Sequence, residues 1–157
     1  IGPRGERTIG AADFFVTSLT TALAEDELLL EVGVPVLPAG TGWAFTELSR
    51  RHGDFAMAGT AVTVRLDAAA RFAEVRIVVF GVDPVATRMT GAEEILNGER
   101  PSPELHKRAA AAVCDAIGEP LEDIHAPGEY RRHLAGVLTE RGIADAVTRA
   151  TPLTEAS

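Results

Sequence analysis

Ser49-Arg50-Arg51-His52-Gly53-Asp54-Phe55 crowds guanidinium donors, an imidazole and a carboxylate into one short stretch of the chain. Such a set can offer charge-assisted hydrogen bonds to an anionic or polar ligand, and Gly53 permits the tight turn that would bring the groups together. Composition alone equally describes a solvent-exposed turn with an Arg–Asp pair, which is the simpler reading. Other constellations carry less. His52, His106, His125 and His133 contain no i, i+4 pair of the helical metal-site kind, and the single cysteine, Cys114, cannot build a thiolate cage. No G-x-S-x-G, P-loop or G-x-G-x-x-G pattern occurs, and Gly40-Thr41-Gly42 reads as a turn. In Glu25-Asp26-Glu27 adjacent side chains point apart, so a solvated loop is expected there.

The elements that must hold the polar stretch can be read from periodicity. Leu28 to Pro35 reads as a strand closed by proline, and Trp43 to Leu48 as a second one that could pair with it across the turn-rich link from Val36 to Gly42. Alternation is clearest in Ala61 to Leu66, where Val62, Val64 and Leu66 share one face and Thr63 and Arg65 the other. Asp67 to Arg71 is short enough for a hairpin loop, and Phe72 to Phe80 reads as the returning strand, so an antiparallel meander is expected.

Helices follow. Thr90 could cap a short helix ending at Asn97-Gly98, while Ser102-Pro103-Glu104 combines a capping Ser, a first-turn Pro and an acid. Leu105, Ala109, Ala112, Val113 and Ala116 would form the buried stripe of that second helix. Tyr130, Leu134, Val137 and Leu138 mark the face of a last helix after Pro127-Gly128, which Gly142 would either split or weaken. Thr151 to Ser157 reads as a frayed tail.

The chain has 157 residues, of which 46% are hydrophobic and 24% charged, the balance of a soluble globular domain rather than of a disordered or membrane-spanning chain. Its strand-like runs over residues 1–100 followed by Ala-rich helical stretches over 101–150 give an α+β order. A net charge of −8 without any Lys/Arg cluster gives no electrostatic footprint for nucleic acid or anionic lipid. One cysteine in an alanine-rich apolar stretch fits a reduced thiol and a cytoplasmic location, and no membrane span is expected. Ile1-Gly2-Pro3-Arg4 has neither an initiator Met nor the layout of a signal peptide, so the start is expected to be cut.

Several segments together resemble the flavoprotein, or medium, subunit of the molybdenum hydroxylases, especially the carbon monoxide dehydrogenase type. They are Gly2 to Arg7, Ala12 to Phe15 with Thr20 to Leu23, Glu27 to Leu29 closing at Val34-Pro35, Arg50 to Gly59, Gly91-Ala92-Glu93, and His125 to Arg132. The resemblance is to the second half of that subunit. It implies the end of an FAD-binding subdomain over residues 1–48 and the family's C-terminal domain over 49–150, a small antiparallel meander packed with a helical bundle. The family's two glycine-rich pyrophosphate loops have no counterpart here.

The function so implied is electron transfer from iron–sulfur clusters through FAD to an acceptor, with the clusters on a small partner subunit and the molybdenum cofactor on a large molybdopterin subunit. A homodimer is a further possible assembly. Leu29 matches a position whose backbone contacts FAD, which leaves its side chain apolar packing only. Thr46 falls where xanthine dehydrogenase relatives carry a flavin-side lysine; its hydroxyl could bond the ring's polar edge but could not offset negative charge on a reduced ring. Arg50, Arg51 and Asp54 align with the flavin-side loop as positioning groups, with Phe55 as packing. The other reading is a docking module that contacts partner subunits and binds no flavin in this form.

Overall fold

The alternation of Val62, Val64 and Leu66 with Thr63 and Arg65 becomes the middle of a sheet in a computed structural model of the chain, in which residues 1–150 are described. Contacts divide the chain into two compact units, Ile1–Leu37 and Pro38–Ser157. The boundary expected between residues 48 and 49 instead falls inside one sheet, because Trp43 to Leu48 pairs residue by residue with Ala58 to Thr63.

The second unit carries a four-stranded antiparallel meander of β3 (Gly42–Leu48), β4 (Ala58–Leu66), β5 (Phe72–Phe80) and β6 (Thr87–Arg88) in spatial order 3-4-5-6. The expected hairpin loop is present. Asp67 Oδ1 accepts the N–H groups of Ala69 and Arg71, and Asp67 N–H donates to the Arg71 carbonyl, which locks the turn without a glycine. One face of the sheet is dry: Val62, Val64, Ile77 and Val79 are each 1% exposed or less. Full burial of such a side chain is worth about 1.5–3 kcal/mol.

Helices α2 (Thr90–Leu96), α3 (Pro103–Ala116) and α4 (Gly128–Arg149) follow the strands. Ser102 caps α3 as its type predicts, its Oγ accepting the Leu105 N–H at 3.2 Å with Pro103 in the first turn. Thr90 does not cap α2: it is the first helical residue, and Met89 takes the cap position with no side-chain bond. The stripe of α3 runs through Leu105, Ala109, Ala110 and Val113, and Ala116 is exposed at the helix end.

Gly142 neither splits nor bends out of α4. A Cβ at this position would lie 3.1 Å from Thr60 Cγ2 and 3.2 Å from Val62 Cγ2, so glycine lets the helix close onto β4. Tyr130 is exposed, and Arg131 takes the inward position in its place. The buried face of α4 is therefore Arg131, Leu134, Ala135, Leu138, Gly142, Ile143 and Ala146.

The first unit holds a single turn of helix, α1 (Ala11–Phe14), and a hairpin of β1 (Phe15–Thr17) and β2 (Thr20–Thr21). Leu28 to Pro35 forms no strand. Leu28, Leu29, Leu30, Val32 and Val34 are exposed, and the run pairs with no strand among the described residues; apolar β-formers need a neighbouring strand for their backbone groups before they count as sheet. Glu27 departs from the expected solvated loop. Its carboxylate takes two bonds from Arg7, of 2.7 and 2.6 Å, and one from the Ala24 N–H at 2.8 Å. No helix among the described residues is long and apolar enough to cross a membrane. The expected tail, Thr151 to Ser157, lies outside the described residues.

Candidate functional site

The β3–β4 connection carries the polar stretch, and its closure is set by backbone bonds. Met57 N–H donates to the Leu48 carbonyl at 2.8 Å, and Asp54 N–H to the Arg51 carbonyl at 3.1 Å across a turn in which Gly53 has φ +90°. Ser49 Oγ donates to the same Arg51 carbonyl. Arg50 is drawn two ways: its Nε lies 3.7 Å from Asp54 Oδ2, and its Nη1 lies 3.0 Å from His125 Nδ1. A guanidinium can only donate, so in that second contact His125 Nδ1 is the acceptor. Arg51 and His52 are exposed.

Asp54 and Phe55 line a cleft of about 430 Å³ whose other walls are Glu47, Phe80 and the β5–β6 connection with Asp83, Pro84 and Val85. Its floor is aromatic. The Phe80 ring lies over Gly59, in space that a Cβ there would fill, and stacks on Phe45 with centroids 5.2 Å apart and planes at 21°. Phe55 is wholly exposed and lines the mouth of the cleft without packing on its floor. Flat apolar surfaces beneath and beside a mouth carrying three carboxylates can take a planar, polar-edged ring.

Thr46 does not join this site. Pleating places Gly42, Ala44 and Thr46 on the face of β3 under α4 and sends Phe45 and Glu47 to the other. Among the described residues Thr46 Oγ1 is buried without a hydrogen-bond partner, 3.9 Å from where a Cβ of Gly142 would sit, so it faces α4 and not this cleft. Leu29 belongs to the first unit, where its half-exposed side chain lines a separate cleft of about 760 Å³ with Phe14, Phe15 and Leu23.

Residues that the sequence reading missed hold the cleft together. Arg131, 6% exposed, donates to the carbonyls of Met57 and Gly81, and Asp123 accepts from Arg131 and from the backbone of His125 and Ala126. The signal for Arg131 was its place in α4, three and four residues before Leu134 and Ala135 on the inward face. Asp123 is held below the usual carboxylate range, first by the backbone N–H of His125, then by that of Ala126 and by Arg131.

Comparison with known proteins settles the family. The CO dehydrogenase flavoprotein C-terminal domain matches residues 43–146, which takes in the sheet, the cleft and nearly all of α4. The chain belongs to that family. It is 37% identical over 148 residues to the carbon monoxide dehydrogenase medium chain of Hydrogenophaga pseudoflava, covering 94% of this chain and 51% of that one. It is 39% identical over 146 residues to the nicotine 6-hydroxylase medium subunit of Paenarthrobacter nicotinovorans, covering 93% and 50%.

A solved structure of the Hydrogenophaga pseudoflava carbon monoxide dehydrogenase lacking the Mo-pyranopterin moiety superposes with a TM-score of 0.90 at 36% identity, covering 96% of this chain and 52% of that one. The α+β meander-and-helix architecture is thus that of the CO dehydrogenase flavoprotein domain. The chain spans about half the length of the relatives it matches.

Proposed function

We propose that this CO dehydrogenase flavoprotein domain serves the FAD-carrying electron-transfer subunit of a molybdenum hydroxylase, with its cleft taking the ring side of the flavin. The observation that carries the reading is the cleft itself: Phe80 and Phe55 offer apolar faces, and the end of the β3–β4 connection, from Asp54 to Ala56, forms one wall. These residues fit a ring. They do not fit a diphosphate, because Glu47, Asp54 and Asp83 line the same cleft without a Lys or Arg among its walls. The flavin, when bound, supplies the capacity to take up and hand on electrons.

The chain's own part is orientation and field. Arg50 holds Asp54 and His125, which fixes the loop's direction over the cleft. The three carboxylates disfavour added negative charge in their neighbourhood, which favours release of electrons over their retention. Partners of the parent subunit are an iron–sulfur small subunit as electron source and a molybdopterin large subunit, in a cytoplasmic enzyme whose reaction is an oxidation carried out on the large subunit.

The test is Arg50→Ala/Arg51→Ala in the parent subunit. Both side chains are exposed, and exposed charges contribute about 0–1 kcal/mol. Flavin reoxidation is expected to slow several-fold with little loss of thermal stability. A variant that reoxidises at the wild-type rate, or whose loss of rate only follows loss of the fold, overturns the assignment, and a wild-type parent subunit that docks its partners without binding flavin establishes the docking-module reading instead.

A further inference from the structure

Both roots of the cleft converge on one guanidinium. Met57 ends the β3–β4 connection and Gly81 begins the β5–β6 connection; Arg131 Nη1 donates to the Met57 carbonyl at 2.8 Å and to the Gly81 carbonyl at 3.0 Å. Its Nη2 donates to Asp123 Oδ2 at 2.7 Å. The geometry points to Arg131 as a positioning residue for the ring site, a reading that rests on the function proposed above. Arg131 is not among the residues lining the cleft, so it acts through the two loops and not by touching a ligand.

The two loops meet at the point it holds. Gly81 has φ +80°, and a Cβ there would lie 2.8 Å from the Ala56 carbonyl oxygen and 3.3 Å from Met57 C, so only glycine lets the second loop leave the sheet against the end of the first. Two carbonyls crowded together in the protein interior present like partial charges, and a shared cation offsets them. The third bond extends the tie. Asp123 Oδ1 accepts the N–H groups of His125 and Ala126 at 2.8 and 3.0 Å, and His125 meets Arg50. Leu121 N–H donates to the Val82 carbonyl at 2.7 Å, which fastens the α3–α4 connection to the second loop. Position 131 thus sets the spacing between Phe55 on one loop and Asp83 on the other.

Lysine cannot replace this fork. It offers its donors from one nitrogen, whereas the guanidinium spreads them over a rigid plane that reaches two carbonyls on one side and a carboxylate on the other. Arg131→Lys therefore keeps the charge and removes the geometry.

Hydrogen exchange on the 157-residue chain tests the proposal. In Arg131→Lys the hydrogen-bonded loop amides of Asp54, Met57 and Leu121 are expected to exchange about tenfold faster, with Val62, Val64 and Ile77 in the sheet unchanged. Ile143→Val, a core truncation away from the cleft, provides the comparison and should speed exchange in the sheet without singling out the loops. Should Arg131→Lys fail to fold, Asp123→Asn removes only the carboxylate charge and is expected to loosen the same amides by a smaller factor. Loop exchange that is unchanged, or that rises in step with the sheet, overturns the role of Arg131. A second arm uses the parent subunit with FAD, where Arg131→Lys is expected to shift the flavin's visible absorption band and midpoint potential. Loops that loosen while the flavin signals stay fixed overturn the ring-site reading instead, so the two failures are separate.

Discussion

Glu93 in the first turn of α2 accepts the backbone N–H of Ile77 in β5 at 2.9 Å, joining helix to sheet through a carboxylate that is 4% exposed. Arg88 completes the arrangement, its Nε and Nη2 donating to the same carboxylate at 2.9 and 2.8 Å. The Gly91-Ala92-Glu93 segment that resembled the family thus has an architectural role, and none of its residues lines the cleft.

Glu93→Ala is expected to destabilise the domain by about 2–4 kcal/mol, because it strands a buried N–H and one half of an ion pair. Glu93→Gln keeps an acceptor for Ile77 and should lose less. Urea denaturation of the two variants checks the order; equal stability of Glu93→Ala and wild type would show that water replaces the carboxylate.

His106 is buried against the edge of the Phe72 ring, with its Nε2 unpartnered, and burial pushes its pKa below the ordinary value near 6.5, opposed by the charge of Glu140. The unfolded chain then binds a proton more readily than the folded one. Stability from this site is complete above about pH 6.5 and falls as pH drops below it, levelling off beneath the folded pKa. The urea midpoint should decline between pH 7.5 and 5.5 in wild type and decline less in His106→Phe. Identical slopes in the two proteins would assign the acid sensitivity elsewhere.

Glu27 is held down to about 2, first by the hydrogen bonds from Arg7 and then by the Ala24 N–H. A depressed carboxylate stabilises the folded form above its ordinary value of 4.5, and that contribution disappears as pH falls from 4.5 through 2. Arg7→Ala is expected to raise the Glu27 midpoint toward 4.5 in a carboxyl-resolved NMR titration. A midpoint that stays near 2 would make the Ala24 N–H the dominant cause.

The sheet and the helix starts were legible because they depend on local patterns. Alternation marked Phe72–Phe80, and the Ser-Pro-Glu sequence marked the start of α3. Thr46 was singled out by the resemblance alone; that it shares the inner face of β3 with the small residues Gly42 and Ala44, which give α4 room to approach, is a matter of strand register that the resemblance does not carry. Leu28 to Pro35 has the composition of a strand, but composition does not supply a pairing partner. Arg131 was the hardest to read. A helix start packed against the sheet is legible around Arg131, but its burial depends on two carbonyls 74 and 50 residues earlier in the chain.

The cleft's charge makes a prediction about which part of a flavin it accepts. Glu47, Asp54 and Asp83 surround an aromatic floor, and a diphosphate brought near them meets like charge across a partly desolvated gap. A neutral ring with a short polyol meets only the floor and the polar edge. The 157-residue chain is therefore expected to bind riboflavin weakly and FAD no more tightly, with FAD gaining on riboflavin as salt screens the carboxylates. Fluorescence-quenching titrations at low and high ionic strength check both points. Asp83→Asn should improve FAD affinity relative to riboflavin by a few-fold, since it removes one of the opposing charges without touching the Phe45–Phe80 stack. FAD affinity more than about tenfold above that of riboflavin in the wild-type chain, a gap of about 1.4 kcal/mol, would place the diphosphate against donors outside this cleft.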